Sequence, residues 1–149
     1  GRATGPGGGG RPGRGERAGA GRAALDGTIS VLHGNGVDIL SGGSRDYDGD
    51  VLAWLDVVVA GPPAALGQES GAATARLLRA ISNPHVNIIG HPTGRIINRR
   101  RGLEPAIDEV IAATVEHAVA LEINSHWLRP ALRATPGQAA VDAGGLTAT

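Results

Sequence analysis

Between residues 56 and 124 the chain alternates two textures at short range, and this alternation restricts the fold more than any other feature. DVVVA (56–60) is a continuous apolar run, the pattern of a strand buried on both faces. Thr74, Leu77, Leu78 and Ile81 then recur at i, i+3, i+4 and i+7, which is one face of a helix. Asn83-Pro84 stops that helix, and Val86–Ile89 reads as the next short strand. Pro105 suits a first helical turn, and Ile107, Val110, Ile111, Thr114, Val115 and Ala118 continue it with a core-facing stripe. ALEIN (120–124) reads as a strand, Gln138–Ala143 as a helix, and GGLTAT as the start of a further element. Upstream, Thr28–Leu32 and Val37–Leu40 read as extended pieces interrupted by Gly-Asn-Gly, and Tyr47–Leu55 as a short helix. Alternating strands and helices with short connections predict an α/β fold, a parallel sheet or barrel with helices outside.

Composition sets the limits of that unit. Residues 1–24 are almost all Gly, Ala, Pro and Arg, with five Arg and one Glu. They offer little apolar surface against the backbone entropy that ordering would cost. The expected organisation is a disordered low-complexity tail over 1–24 and one domain over 25–149. Arg/Gly segments can bind single strands, but no aromatic residue is interleaved here for stacking. The net charge of zero shows no bias towards nucleic acid or membrane. With no Cys, disulfides and thiolate metal sites are excluded. No apolar run approaches the ~20 residues that span a bilayer, so the expectation is a cytoplasmic protein without a membrane partner. The lack of any Met points to a piece of a longer chain.

In parallel α/β folds the chemistry collects at the C-terminal ends of the strands. That rule selects Gly61–Pro63, Gly90–Arg95 and Asn124–His126. His91 follows Ile88-Ile89-Gly90 directly. Its imidazole suits a metal ion, or it is simply hydrogen-bonded in a loop. Arg95 suits a phosphate, or it faces solvent beside Arg99, Arg100 and Arg101, an exposed triplet or a contact for a nucleic-acid backbone. His85 and His117 read as structural, His126 as a weak candidate, and His33 is unassigned. Glu122 shares a strand face with Asn124. A carboxylate in so apolar a run needs a partner, whether buried or in a site. No nucleophile–base–orienter set and no dinucleotide fingerprint is present.

The segments GVDIL-x-x-GS-x-DY, LDVVVA, TARLLRAI-x-NPHV-x-IIGHPTGR and ALEINS-x-x-x-R, in this order, resemble the PHP (polymerase and histidinol phosphatase) domain. The form most similar is the one at the C-terminus of family X DNA polymerases. The resemblance implies a distorted (β/α)7 TIM-like barrel, here partial, that binds divalent ions, usually Mn or Zn, at its C-terminal face. It implies a metal-dependent phosphoesterase: the 3′–5′ exonuclease or phosphatase module of a repair polymerase, acting on DNA with polymerase domains in the same parent chain. The alternatives are a non-catalytic PHP domain contacting polymerase or DNA, and a small-molecule phosphatase of the histidinol phosphate type. The resemblance makes His91 a metal ligand and assigns Thr93, Arg95 and Asn124 to the phosphate; no catalytic residue is assigned. It also expects a glutamate at Gly36, a histidine at Pro63, an opening H-x-H and a closing Asp-x-His. The chain has none of the four, so the expectation is impaired activity, marginal folding and doubtful metal binding.

Overall fold

The computed structural model describes residues 29–46, 49–63, 67–96, 101–123 and 134–149. The segment 1–24, together with Thr28, Tyr47, Arg99, Arg100, Asn124 and His126, lies outside the described residues. Residues 34–149 form one compact unit. Its strands are β1 (Gly34–Asp38), β2 (Val57–Gly61), β3 (Ile88–Ile89), β4 (Ala120–Glu122) and β5 (Thr147–Ala148). Its helices are α1 (Gly49–Leu52), α2 (Ser70–Ile81), α3 (Ile107–Glu116) and α4 (Ala134–Asp142). The five strands make one parallel sheet in the order β1-β2-β3-β4-β5. The α/β expectation therefore holds, and strands adjacent in sequence are adjacent in space without a reversal. No helix among the described residues is long and apolar enough to cross a membrane.

Strand alternation gives the sheet two unlike faces. Val37, Val58, Ala60, Ile89 and Leu121 are buried in one cluster with Leu77, Ala80 and Ile81 of α2, Val110 and Ile111 of α3, and Ala140 of α4. Burying a side chain of the Leu77 or Ile89 kind is worth about 1.5–3 kcal/mol. The other face carries Gly36, Val59, Ile88, Ala120 and Glu122, none of them fully buried. The apolar run of β2 is thus fully covered on one side only. Asn87 stands at the entry of β3. Its Oδ1 accepts the Val58 N–H at 2.8 Å, its own N–H donates to Val58 O at 3.1 Å, and its carbonyl accepts the Ala120 N–H at 2.8 Å.

Several element limits differ from the sequence reading. Gly-Asn-Gly begins β1 instead of interrupting a strand, because pairing with Val57–Val59 supplies the ladder that its composition does not encourage. Of the helix expected over 47–55, the described residues are helical at Gly49–Leu52 and leave the helix after it. Pro105 lies ahead of α3, whose N-cap is Ala106. Ala106 has no capping side chain of its own; Thr74 of α2 accepts its N–H at 2.8 Å. Val115 is exposed, and Ala118 falls beyond the helix at φ 53°, where the Val119 N–H reaches back to Thr114 O at 2.9 Å. That is the six-to-one bond of a left-handed helix terminus, a position glycine usually fills.

The loop after β1 is fastened to α2. Gly43 turns it at φ 85°. Arg76, 2% exposed, donates from Nη2 to Ile39 O and from Nη1 to Gln68 Oε1 at 2.9 Å, while Gln68 Nε2 donates to Ser41 O at 3.0 Å. Burial lowers the Arg76 pKa from the ordinary arginine value. One turn on, Arg79 Nη1 donates to Gly42 O.

Candidate functional site

The site is built at the C-terminal end of β2, β3 and β4. Asp38 pairs with Gly61, and Glu122 with Ala148. Continuing the register of β2, β3 and β4 by one residue sets Gly90 between Gly61 and Glu122, and Gly90 N donates to Ala60 O at 2.8 Å. A methyl on Gly90 would lie 3.0 Å from Val59 Cγ1 and 3.5 Å from Glu122 Oε2, so this crossing is tight.

The chain then turns sharply. His91 has φ 32°, the left-handed region that non-glycine residues seldom occupy. Gly94, at φ 58°, returns its N–H to His91 O at 2.7 Å. Pro92 and Gly94 are buried. Leu103 N donates to Thr93 O at 2.7 Å, and Arg95 N donates to Thr93 Oγ1 at 3.4 Å. Gly102 lies flat on this turn, since a methyl there would run into Thr93 O.

Glu122 holds the turn from the neighbouring strand. Its Oε2 accepts the backbone N–H of His91. The same oxygen lies 3.7 Å from His91 Nδ1, within ion-pair reach when the ring is protonated. The partner that so apolar a strand demanded for its carboxylate is therefore the His91 turn. The adjoining Cε1–Nε2 edge of the imidazole rests on Gly61: a methyl at that position would lie 2.6 Å from Cε1 and 2.8 Å from Nε2. The ring remains 45% exposed, and Glu122 27%.

The sequence-selected residues His91, Thr93 and Arg95 thus share one turn, with Arg95 on its exposed side. Asn124 lies outside the described residues. His85 precedes β3 and bonds through its backbone to Asn83 Oδ1 at 2.9 Å, and His117 is the C-cap of α3. Arg101 pairs in solvent with Glu104 at 3.5 Å, a contact worth little. Sequence reasoning left Glu122 undecided and placed Gly61 at a functional strand end without giving it a role. The carboxylate inside an apolar strand was the usable signal for the first. For the second the strand-end rule gave the position but not the role, because a ring resting on a glycine needs a tertiary contact to be seen.

The described residues do not fit a multi-ion centre. Among them no group of three or more His, Asp or Glu side chains is gathered closely enough to hold a metal ion. Gly36 and Pro63, where ligands were expected, carry no ligating atom in their side chains.

Comparison with known proteins gives the site a context. No protein-family model matches the chain. Over 103 residues it is 44% identical to the DNA polymerase/3′-5′ exonuclease PolX of Bacillus subtilis (strain 168), a match covering 69% of this chain and 18% of that protein. Probable phosphatases of Shewanella sp. strains ANA-3 and MR-4 are each 36% identical over 100 residues, 65% of this chain and 37% of theirs. The chain spans well under half the length of each of these relatives.

Proposed function

We propose that this chain is part of a PHP-type phosphoesterase domain, of the kind found as the exonuclease module of a family X polymerase. The observation that carries the reading is the Gly90–Arg95 turn. It delivers an imidazole, a hydroxyl and a guanidinium from one strand end, within a chain similar to a polymerase/exonuclease. The unreversed order of five parallel strands supports a (β/α) barrel over a doubly wound sheet, which changes direction at a switch point. DNA would be the substrate, polymerase domains of a parent chain the partners, and the cytoplasm the compartment.

In this reading His91 belongs to a divalent centre of Mn or Zn, and Thr93, Arg95 and Asn124 to phosphate binding. A guanidinium at Arg95 would neutralise charge on a phosphate ester and fix it in two dimensions. One imidazole does not hold an ion by itself, since such centres need several ligands and their supporting shell. Gly36 and Pro63 therefore favour a domain whose turn persists while its turnover is impaired. They equally support the reading of a structural domain that contacts polymerase or DNA. The phosphatase names of the Shewanella relatives keep a small phosphomonoester as the alternative substrate.

The test supplies the 149-residue chain with Mn²⁺ or Zn²⁺ and two substrates, a 3′-labelled oligonucleotide and p-nitrophenyl phosphate. We expect no metal-dependent release from the chain as it stands. We expect Gly36→Glu combined with Pro63→His to gain Mn²⁺ binding, read by electron paramagnetic resonance. Metal-dependent turnover by the unaltered chain, abolished in His91→Ala, would overturn the impaired reading, and the preferred substrate would choose between nuclease and phosphatase.

A further inference from the structure

We infer that Glu122 is a positioning residue for His91, and that it works against Gly61 as the opposite wall of a seat for the imidazole. That this seat serves phosphoester chemistry rests on the reading above; the seat itself rests on geometry alone.

Three observations carry it. First, the His91 backbone is in the left-handed region at φ 32°, a strained conformation for a non-glycine residue that persists only where neighbours impose it. Glu122 Oε2 imposes it by accepting the N–H of that same residue. Second, the ring cannot move towards β2, because it already fills the volume that a side chain at 61 would take, 2.6 Å from where a methyl carbon would sit. Third, Nδ1 faces Glu122 at 3.7 Å while the Cε1–Nε2 edge faces Gly61. One carboxylate oxygen therefore governs both the peptide and the near edge of the ring. A glycine at 61 is a precondition for this pose. A side chain at 61 would have to push the ring off this pose, so the glycine at the end of β2 and the pose of the histidine go together.

The seat has a direct spectroscopic signature. The Gly61 Hα that a methyl would replace points at His91 Cε1, so a nuclear Overhauser effect to Hε1 is expected, assigned by its absence in His91→Ala. We expect Glu122→Ala to lose this cross-peak and Glu122→Gln to keep it, because the amide oxygen still accepts the His91 N–H. We expect Gly61→Ala to shift the His91 ring signals, and the introduced methyl to show no contact with Hε1 at the wild-type separation. Amide spectra that otherwise superpose establish that each variant is folded. Retention of the cross-peak in Glu122→Ala, or its loss in Glu122→Gln, would overturn the assignment. Neither result depends on turnover or metal, so an intact seat in a Gly36→Glu, Pro63→His chain that gains no Mn²⁺ binding would count against the phosphoesterase reading alone.

Discussion

The loop after β1 and the turn after β3 leave the same end of the sheet and are fastened in opposite chemical senses. The first presents carbonyls, and α2 answers with donors: Arg76 to Ile39 O and Arg79 to Gly42 O. The second presents an N–H, and β4 answers with an acceptor, Glu122. The first loop has only a glycine in the left-handed region, Gly43, whereas the second has His91 there as well as Gly94. The difference is instructive. Where the loop only has to be held, the strained position goes to the residue that tolerates it. Where a side chain has to be displayed, a histidine takes the strain and a charged acceptor offsets it.

Breaking the first fastening should leave the second intact. The largest effect is expected for Arg76→Leu. It removes a buried guanidinium and leaves the Ile39 carbonyl and Gln68 without it, a loss of about 2–3 kcal/mol that a lowered urea midpoint would report. Gly43→Ala follows at about 1–2 kcal/mol. A methyl there is strained at φ 85° and would lie 3.0 Å from Arg79 Cβ and Cδ. In both variants the Hε1 contact of His91 with Gly61 should persist, and its loss would show that the two regions form one cooperative device. The smallest effect sharpens the comparison from the other side. Ala118, at φ 53°, displays nothing, so Ala118→Gly should stabilise the fold by about 0.5 kcal/mol once the added chain entropy is set against the relieved strain. A fall in melting temperature would mean that its positive φ is not strained.

Much of the architecture was legible because it depends on local periodicity. The stripe of Thr74, Leu77 and Ile81 located α2, and DVVVA located β2. The limits failed where a distant partner decided. Gly-Asn-Gly pairs only because β2 is beside it, and Ala106 is a workable N-cap only because Thr74 reaches it from another helix. The site divides in the same way. His91, Thr93 and Arg95 are contiguous, and their placement at a strand end follows from the order of elements. The role of Glu122 depends on β4 lying beside β3 with Glu122 level with Gly90, which no spacing along the chain encodes.

Asn87 gives this arrangement its phase. β3 contributes only two paired residues, too few for side-chain burial to hold it firmly in step with its neighbours. The Asn87 amide ties the strand's entry to Val58, and its backbone carbonyl ties it to Ala120. A slip of one residue in a strand turns every following side chain to the other face. It would bring Ile89 to where Gly90 now passes Glu122, and would turn His91 away from Gly61. A single amide, four residues upstream, therefore acts as an index mark for the site, favouring the one alignment in which the imidazole faces its seat.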